Sequence, residues 1–122
     1  MVRRAPLAGA SGDRGAGSVL IVALIAAVAI AGLTLTAAAH GVARSQELDA
    51  AADAAALAAG DVLLGWVAGD PCTVAQRVAA AHAARLTECG GEGLTVLVRV
   101  EARILGMAIE RSARAGPPDA RW

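Results

Sequence analysis

Between Arg14 and Arg44 the chain carries 29 consecutive residues without a formally charged side chain. That exceeds the roughly 20 apolar residues a helix needs to cross a bilayer. Its centre, Val19 to Leu35, is rich in Val, Ile and Leu, and the hydroxyls of Thr34 and Thr36 can bond back to carbonyls of their own helix. Residues 16–43 are therefore predicted as a transmembrane helix. A basic flank, residues 1–15, precedes it with Arg3, Arg4 and Arg14 against Asp13, while Glu47, Asp49 and Asp53 soon follow Arg44. This asymmetry predicts an N-terminus in the cytoplasm and a C-terminal portion outside it. A secretory signal is the rival reading, with "TAAA" before His40 as its cleavage site. The apolar core of 17 residues from Val19 to Leu35, however, exceeds the roughly 7–15 of a signal's apolar region.

After Arg44 the pattern turns from continuous to periodic. Leu48, Ala52, Ala55, Ala59, Val62 and Trp66 recur at three- and four-residue steps, the stripe of an amphipathic helix, and Glu47, Asp49, Asp53 and Asp61 fall away from it. Residues 44–68 are read as a helical stem, with Gly60 and Gly65 as places to bend or stop. Leu48, Ala52, Ala55, Ala59 and Val62 form its expected contact with a partner helix, small side chains letting two backbones approach closely. The alternative is that this stripe packs on the chain's own outer domain.

"AGDPCT", residues 68–73, breaks the helix at Pro71. Thr73 and Gln76 have the spacing of a capping box for a second helix ending near Ala84, its apolar face Val74, Val78 and Ala81. "GGEG", residues 90–93, is a turn. Beyond it Leu94, Val96, Val98, Val100 and Ala102 alternate with Thr95, Leu97, Arg99, Glu101 and Arg103, the period of a half-buried strand. Residues 85–89 pair with it as a short hairpin strand, and a turn at Gly106 leads to a third strand from Ile109 to Ala115. The expected fold class is α+β: a single N-terminal transmembrane helix extended into an amphipathic stem, then a short helix packed on a small antiparallel β-hairpin or three-stranded sheet. Residues 69–115 form the small outer domain and 116–122 a flexible tail.

Composition narrows what such a chain can do. With 11 basic and 11 acidic residues the formal charge is zero, so charge favours neither nucleic acid nor an anionic surface. There is no Phe or Tyr and only two Trp, which removes the stacking platforms single-stranded nucleic acid uses. Alanine accounts for 33 residues and glycine for 14. Such a chain forms helices readily but builds a thin core.

Cys72 and Cys89 carry the one covalent expectation. A helix from Val74 to Ala84 climbs about 16 Å, and a strand doubling back from Arg85 to Cys89 recovers roughly 13 Å. The sulfurs thereby come within bonding reach, and outside the cytoplasm a disulfide is favoured over two free thiols. A zinc site is not expected, because these cysteines and His82 lack the paired spacing of such sites. No serine or cysteine has the context of a nucleophile beside His82, which is read as a surface or cap residue, and His40 is read as a headgroup contact. Asp49 and Asp53, four apart, are read as a solvated face without a basic neighbour. The glycines at 90, 91 and 93 precede a strand, whereas phosphate cradles open a helix. No enzyme activity, cofactor, metal or small-molecule substrate is expected.

The order of these features resembles the small bacterial TadE/TadG-like proteins, pilin-like subunits associated with Flp (tight adherence) pilus and related secretion machinery. The resemblance covers roughly residues 12–115. It is carried by "DRGAGSVLIVALIAAV", in which Arg14-Gly15 opens the apolar run, by "ELDAAADAAALAAG" just beyond it, and by the short helix with Cys72 before a β-rich end. It implies a non-enzymatic, single-pass subunit of a pilus-assembly or secretion complex. Its partners would be the membrane and other pilin-like or Tad secretion-complex subunits, a second copy included. Pilin-type segments often carry a glutamate five residues after the peptidase cleavage point. Here that place is Leu20 if cleavage follows Gly15 and Val22 if it follows Gly17, so an uncleaved accessory subunit is the expected form. The alternative function is a secreted or surface-anchored small binding domain whose apolar segment serves only for export.

Overall fold

The structure is a computed structural model that describes residues 10–118, with side chains from Gly15 onward. Most of the basic flank (residues 1–9) and the end of the tail (119–122) lie outside the described residues. The element order is α1 (Ala10–Leu63), α2 (Pro71–Ala81), β1 (Arg85–Glu92), β2 (Thr95–Ile104) and β3 (Met107–Ala115). The chain is α+β, as the hydrophobic pattern indicates. It divides between Ala39 and His40 into two units, and residues 40–118 are called the head below.

The described part of the first unit, residues 10–39, is helical. From Gly15 its sequence is almost wholly Ala, Val, Ile, Leu and Gly, and Ala and Leu are strong helix formers. The two threonine hydroxyls are satisfied locally: Thr34 Oγ1 donates to the Ala31 carbonyl at 2.8 Å and Thr36 Oγ1 to that of Gly32 at 2.8 Å. α1 is long and apolar enough to cross a membrane.

In the head, α1 ends where glycine allows it. Gly65 takes φ +78°. The Gly65 N–H donates to the Val62 carbonyl and the Trp66 N–H to that of Asp61, the paired bonds of a Schellman stop. The start of α2 differs from the expected capping box. Asp70, not Thr73, is the N-cap, Pro71 occupies the first turn, and the helix ends at Ala81 rather than Ala84. Proline suits that first position because its missing N–H would be unpaired there anyway. The buried face is Ala75 and Ala79, with the expected Val78 beside them, while Val74 is half-buried and Ala81 exposed. Ala83, at φ +56°, closes α2 with a second Schellman pair, Ala83 N–H to Ala80 and Ala84 N–H to Ala79.

The sheet is antiparallel in the order β1-β2-β3. β1 is longer than the expected 85–89, and its register with β2 shifts between Leu86 and Glu88. Thr87 is the extra residue of this bulge, its hydroxyl bonded to the Arg99 carbonyl at 3.2 Å. Gly93, at φ +59°, fits the two-residue turn between Glu92 and Thr95 that only glycine enters cheaply. Gly91 is held by space, since a Cβ there would stand 1.9 Å from the Thr95 carbonyl oxygen. Val96, Val98 and Val100 on β2 and Ala113 on β3 point into the core, which they share with α1 and α2. The other face of the sheet carries the ion pairs Arg85–Glu101 (3.0 Å) and Arg99–Glu88 (2.7 Å).

Candidate functional site

Two surfaces are candidates: the apolar half of α1, and the head. Along the first, every side chain from Ser18 to Ala39 is exposed. Val, Ile and Leu that would normally lie in a core stand bare on all sides of the helix. A soluble monomer rarely leaves more than a few hundred Å² of contiguous apolar surface uncovered. This helix therefore needs an apolar solvent or a protein cover.

The head buries its own apolar stripe. Leu48, Ala52, Ala55 and Ala59, expected to receive a partner helix, are at most 2% exposed, and they share one core with Val96, Val98 and Val100 of β2. Val62 is half-buried. These four residues thus offer no free surface to a partner, and their cover is the alternative one, the chain's own sheet. The physical reason is that alanines let a helix lie close on any flat apolar surface, and the valine face of β2 supplies one. Ala51 and Ala56, absent from the expected stripe, widen it. The stem is accordingly part of the head.

Polar contacts fix the same packing. Arg111 on β3 reaches α1 through Nε to Asp49 Oδ1 at 2.8 Å and Nη2 to Ser45 Oγ at 2.8 Å. Asp49 therefore does have a basic neighbour. Sequence spacing missed it because the partner lies 62 residues away in a strand whose phase the sequence leaves open. Asp53 is exposed, and Arg44 pairs with Glu47 one turn along α1.

Cys72 at the start of α2 and Cys89 on β1 are joined in a disulfide, Cα to Cα 5.8 Å. Beside it the Asp70 carboxylate accepts from the Thr73 N–H at 2.8 Å and the Thr73 hydroxyl at 3.1 Å. The Thr73 backbone bond, then its hydroxyl, hold the Asp70 carboxyl below its ordinary value, with a smaller share from the Cys72 N–H. His82 is the C-cap of α2, its N–H donating to Val78 and Ala79. His40 is exposed on α1. Among the described residues no three His, Cys, Asp or Glu side chains lie close enough to share a metal ion.

At the end of the head near the C-terminus of α1, Leu57, Leu64, Trp66, Leu94 and Pro117 line an open groove of about 390 Å³. Trp66, placed on the buried stripe by its spacing, is instead 77% exposed, because α1 stops at Leu63 and the Gly65 turn swings it off the helical phase.

Compared with protein-family models, curated proteins and solved structures, the chain matches none.

Proposed function

We propose that the protein is a non-enzymatic, single-pass membrane subunit of pilin-like type, working in a Flp/Tad-type pilus-assembly or secretion complex. The observation that carries the membrane part is the bare apolar half of α1, which has no cover among the described residues. A lipid bilayer is the solvent in which such a helix is stable, since all its backbone groups are bonded internally. The arginine-rich flank favours a cytoplasmic N-terminus, and the disulfide suits a head on the oxidising side. The pilin-like assignment rests on the sequence resemblance over residues 12–115. The head supports it in one respect: a small, self-sealed domain fixed directly to the span is suited to display and assembly and needs no catalytic centre. The finer picture of α2 as a helix stacked on the sheet belongs to this reading and is supported by the shared core of Ala75, Ala79 and the β2 valines.

The test is replacement of residues 16–43 by an unrelated transmembrane helix in the native bacterium. Loss of the pilus or secretion phenotype, with the head still folded and displayed, is the expected result. Full activity with the foreign anchor would reject the assembly role and favour the second reading, a surface-anchored binding domain. That second reading draws its support from the groove around Trp66.

A further inference from the structure

We infer that the β2–β3 hairpin tip is a second membrane contact, with Leu105 and Met107 inserted into the lipid headgroup and acyl boundary. This rests on the reading of α1 as an anchor and adds a lipid site in the head. The turn joins Ile104 to Met107 through Leu105 and Gly106, and both turn residues have positive φ, +52° and +80°. That backbone favours Asn, Asp or Gly at its first position, and a leucine there costs on the order of 1 kcal/mol. Yet the strained leucine gains little burial in the protein: although its tip lies over Gly41 of α1, Leu105 is 64% exposed and Met107 61% exposed. An apolar side chain held in a costly conformation and left in water has its compensation elsewhere.

Its position says where. A Cβ on Gly41 would stand 3.0 Å from Leu105 Cδ1, so the tip lies level with the last turn of the charge-free run, where Val42 is also exposed. The charges near the tip suit lipid phosphates. Arg103, one rung behind Ile104–Met107 in the hairpin, is exposed and has no ion-pair partner among the described residues. The nearest hairpin carboxylates, Glu101 and Glu110, are a register pair three rungs behind Ile104–Met107, about 10 Å along the strands. On α1, Arg44 follows Gly41 by three residues, about 4.5 Å along the helix, and shares its charge with Glu47. An apolar point flanked by arginines, whose long stems let the cation reach a headgroup, is the composition of an interfacial anchor.

The experiment places an environment-sensitive fluorophore on the full-length protein at Leu105→Cys, Val28→Cys or Leu94→Cys. The native disulfide stays closed, so each variant offers one thiol. The protein is reconstituted in vesicles of phosphatidylcholine and phosphatidylglycerol with and without lipids carrying quenchers both high on the acyl chain and near its end. The expected result is quenching at 105 of the same order as at 28, and none at 94, an equally apolar turn residue at the other end of β2. Quenching at 28 but not at 105 overturns the tip contact and leaves the anchor standing. No quenching at 28 removes the anchor and this inference together. Quenching at 94 as well as 105 signals non-specific collapse onto lipid and also overturns the specific contact.

Discussion

Two non-glycine residues take the left-handed backbone region among the described residues, Ala83 and Leu105, and they do so for different reasons. Ala83 is the αL residue of the Schellman pair that stops α2 and lets the chain turn into β1. Nothing in the packing needs it to be alanine, because its side chain is exposed. Ala83→Gly should therefore stabilise the head, relief of the αL strain outweighing the greater freedom of glycine in the unfolded chain, for a net gain of roughly 0.5–1 kcal/mol. Thermal unfolding of the full chain in detergent followed by circular dichroism reads this as a rise of a few degrees, and an unchanged or lower midpoint would contradict the assigned cap. Asp70 tests the other end of α2. Its carboxylate has a folded pKa below the unfolded one, so it contributes stability that is fully present above about pH 4 and is lost as pH falls through the folded value. The melting difference between the wild type and Asp70→Ala is expected to be constant near neutrality and to shrink below about pH 4. A difference that persists undiminished in acid would mean that the cap does not depend on the ionised group.

α1 changes role along its length without changing its secondary structure, and its two halves were unequally legible in the sequence. The apolar run, the alternation of β2 and the disulfide were readable because each depends on local period or on two residue types. The stripe of Leu48, Ala52, Ala55 and Ala59 was readable as a face, but not what covers it. Alanine offers the same small surface to a partner helix and to a sheet, and only the three-dimensional placement of Val96, Val98 and Val100 decides between them. The start of α2 was misplaced because Thr73 and Gln76 mimic a capping box while Asp70-Pro71 makes the stronger cap. Leu105 was invisible as a site, since nothing in "ILGM" announces a turn with leucine at positive φ. The close packing of α1 makes its own test. Ala55→Leu, at a position with no exposure, should destabilise the head by about 1–3 kcal/mol through overpacking, whereas Asp53→Leu, on the open face, should stay within roughly 0.5 kcal/mol. Equal effects at both positions in the detergent unfolding assay would place the stripe outside the core. Opening the 17-residue separation between Cys72 and Cys89 with paired Cys→Ala changes should remove about 3 kcal/mol. A midpoint unchanged by that double replacement would mean the bridge adds no constraint beyond the native packing.

At the scale of the whole molecule, a bare apolar helix long enough to cross a membrane continues into a head with its own core. The buried stripe is closed to a partner, whereas the bare faces of α1, the groove at Trp66 and the hairpin tip are open among the described residues. The central claim is that residues 16–43 remain in the membrane with the head outside the cytoplasm, and its most direct test is thiol labelling in intact bacteria. Single cysteines are placed by Ser11→Cys before the run, Val28→Cys within it and Ser112→Cys on the open face of β3, and each variant is exposed to a membrane-impermeant maleimide before and after lysis. The account predicts labelling at 112 in intact cells, at 11 only after lysis, and at 28 under neither condition. Labelling at 11 from outside, or a head released from the membrane with its new N-terminus at His40, would contradict it.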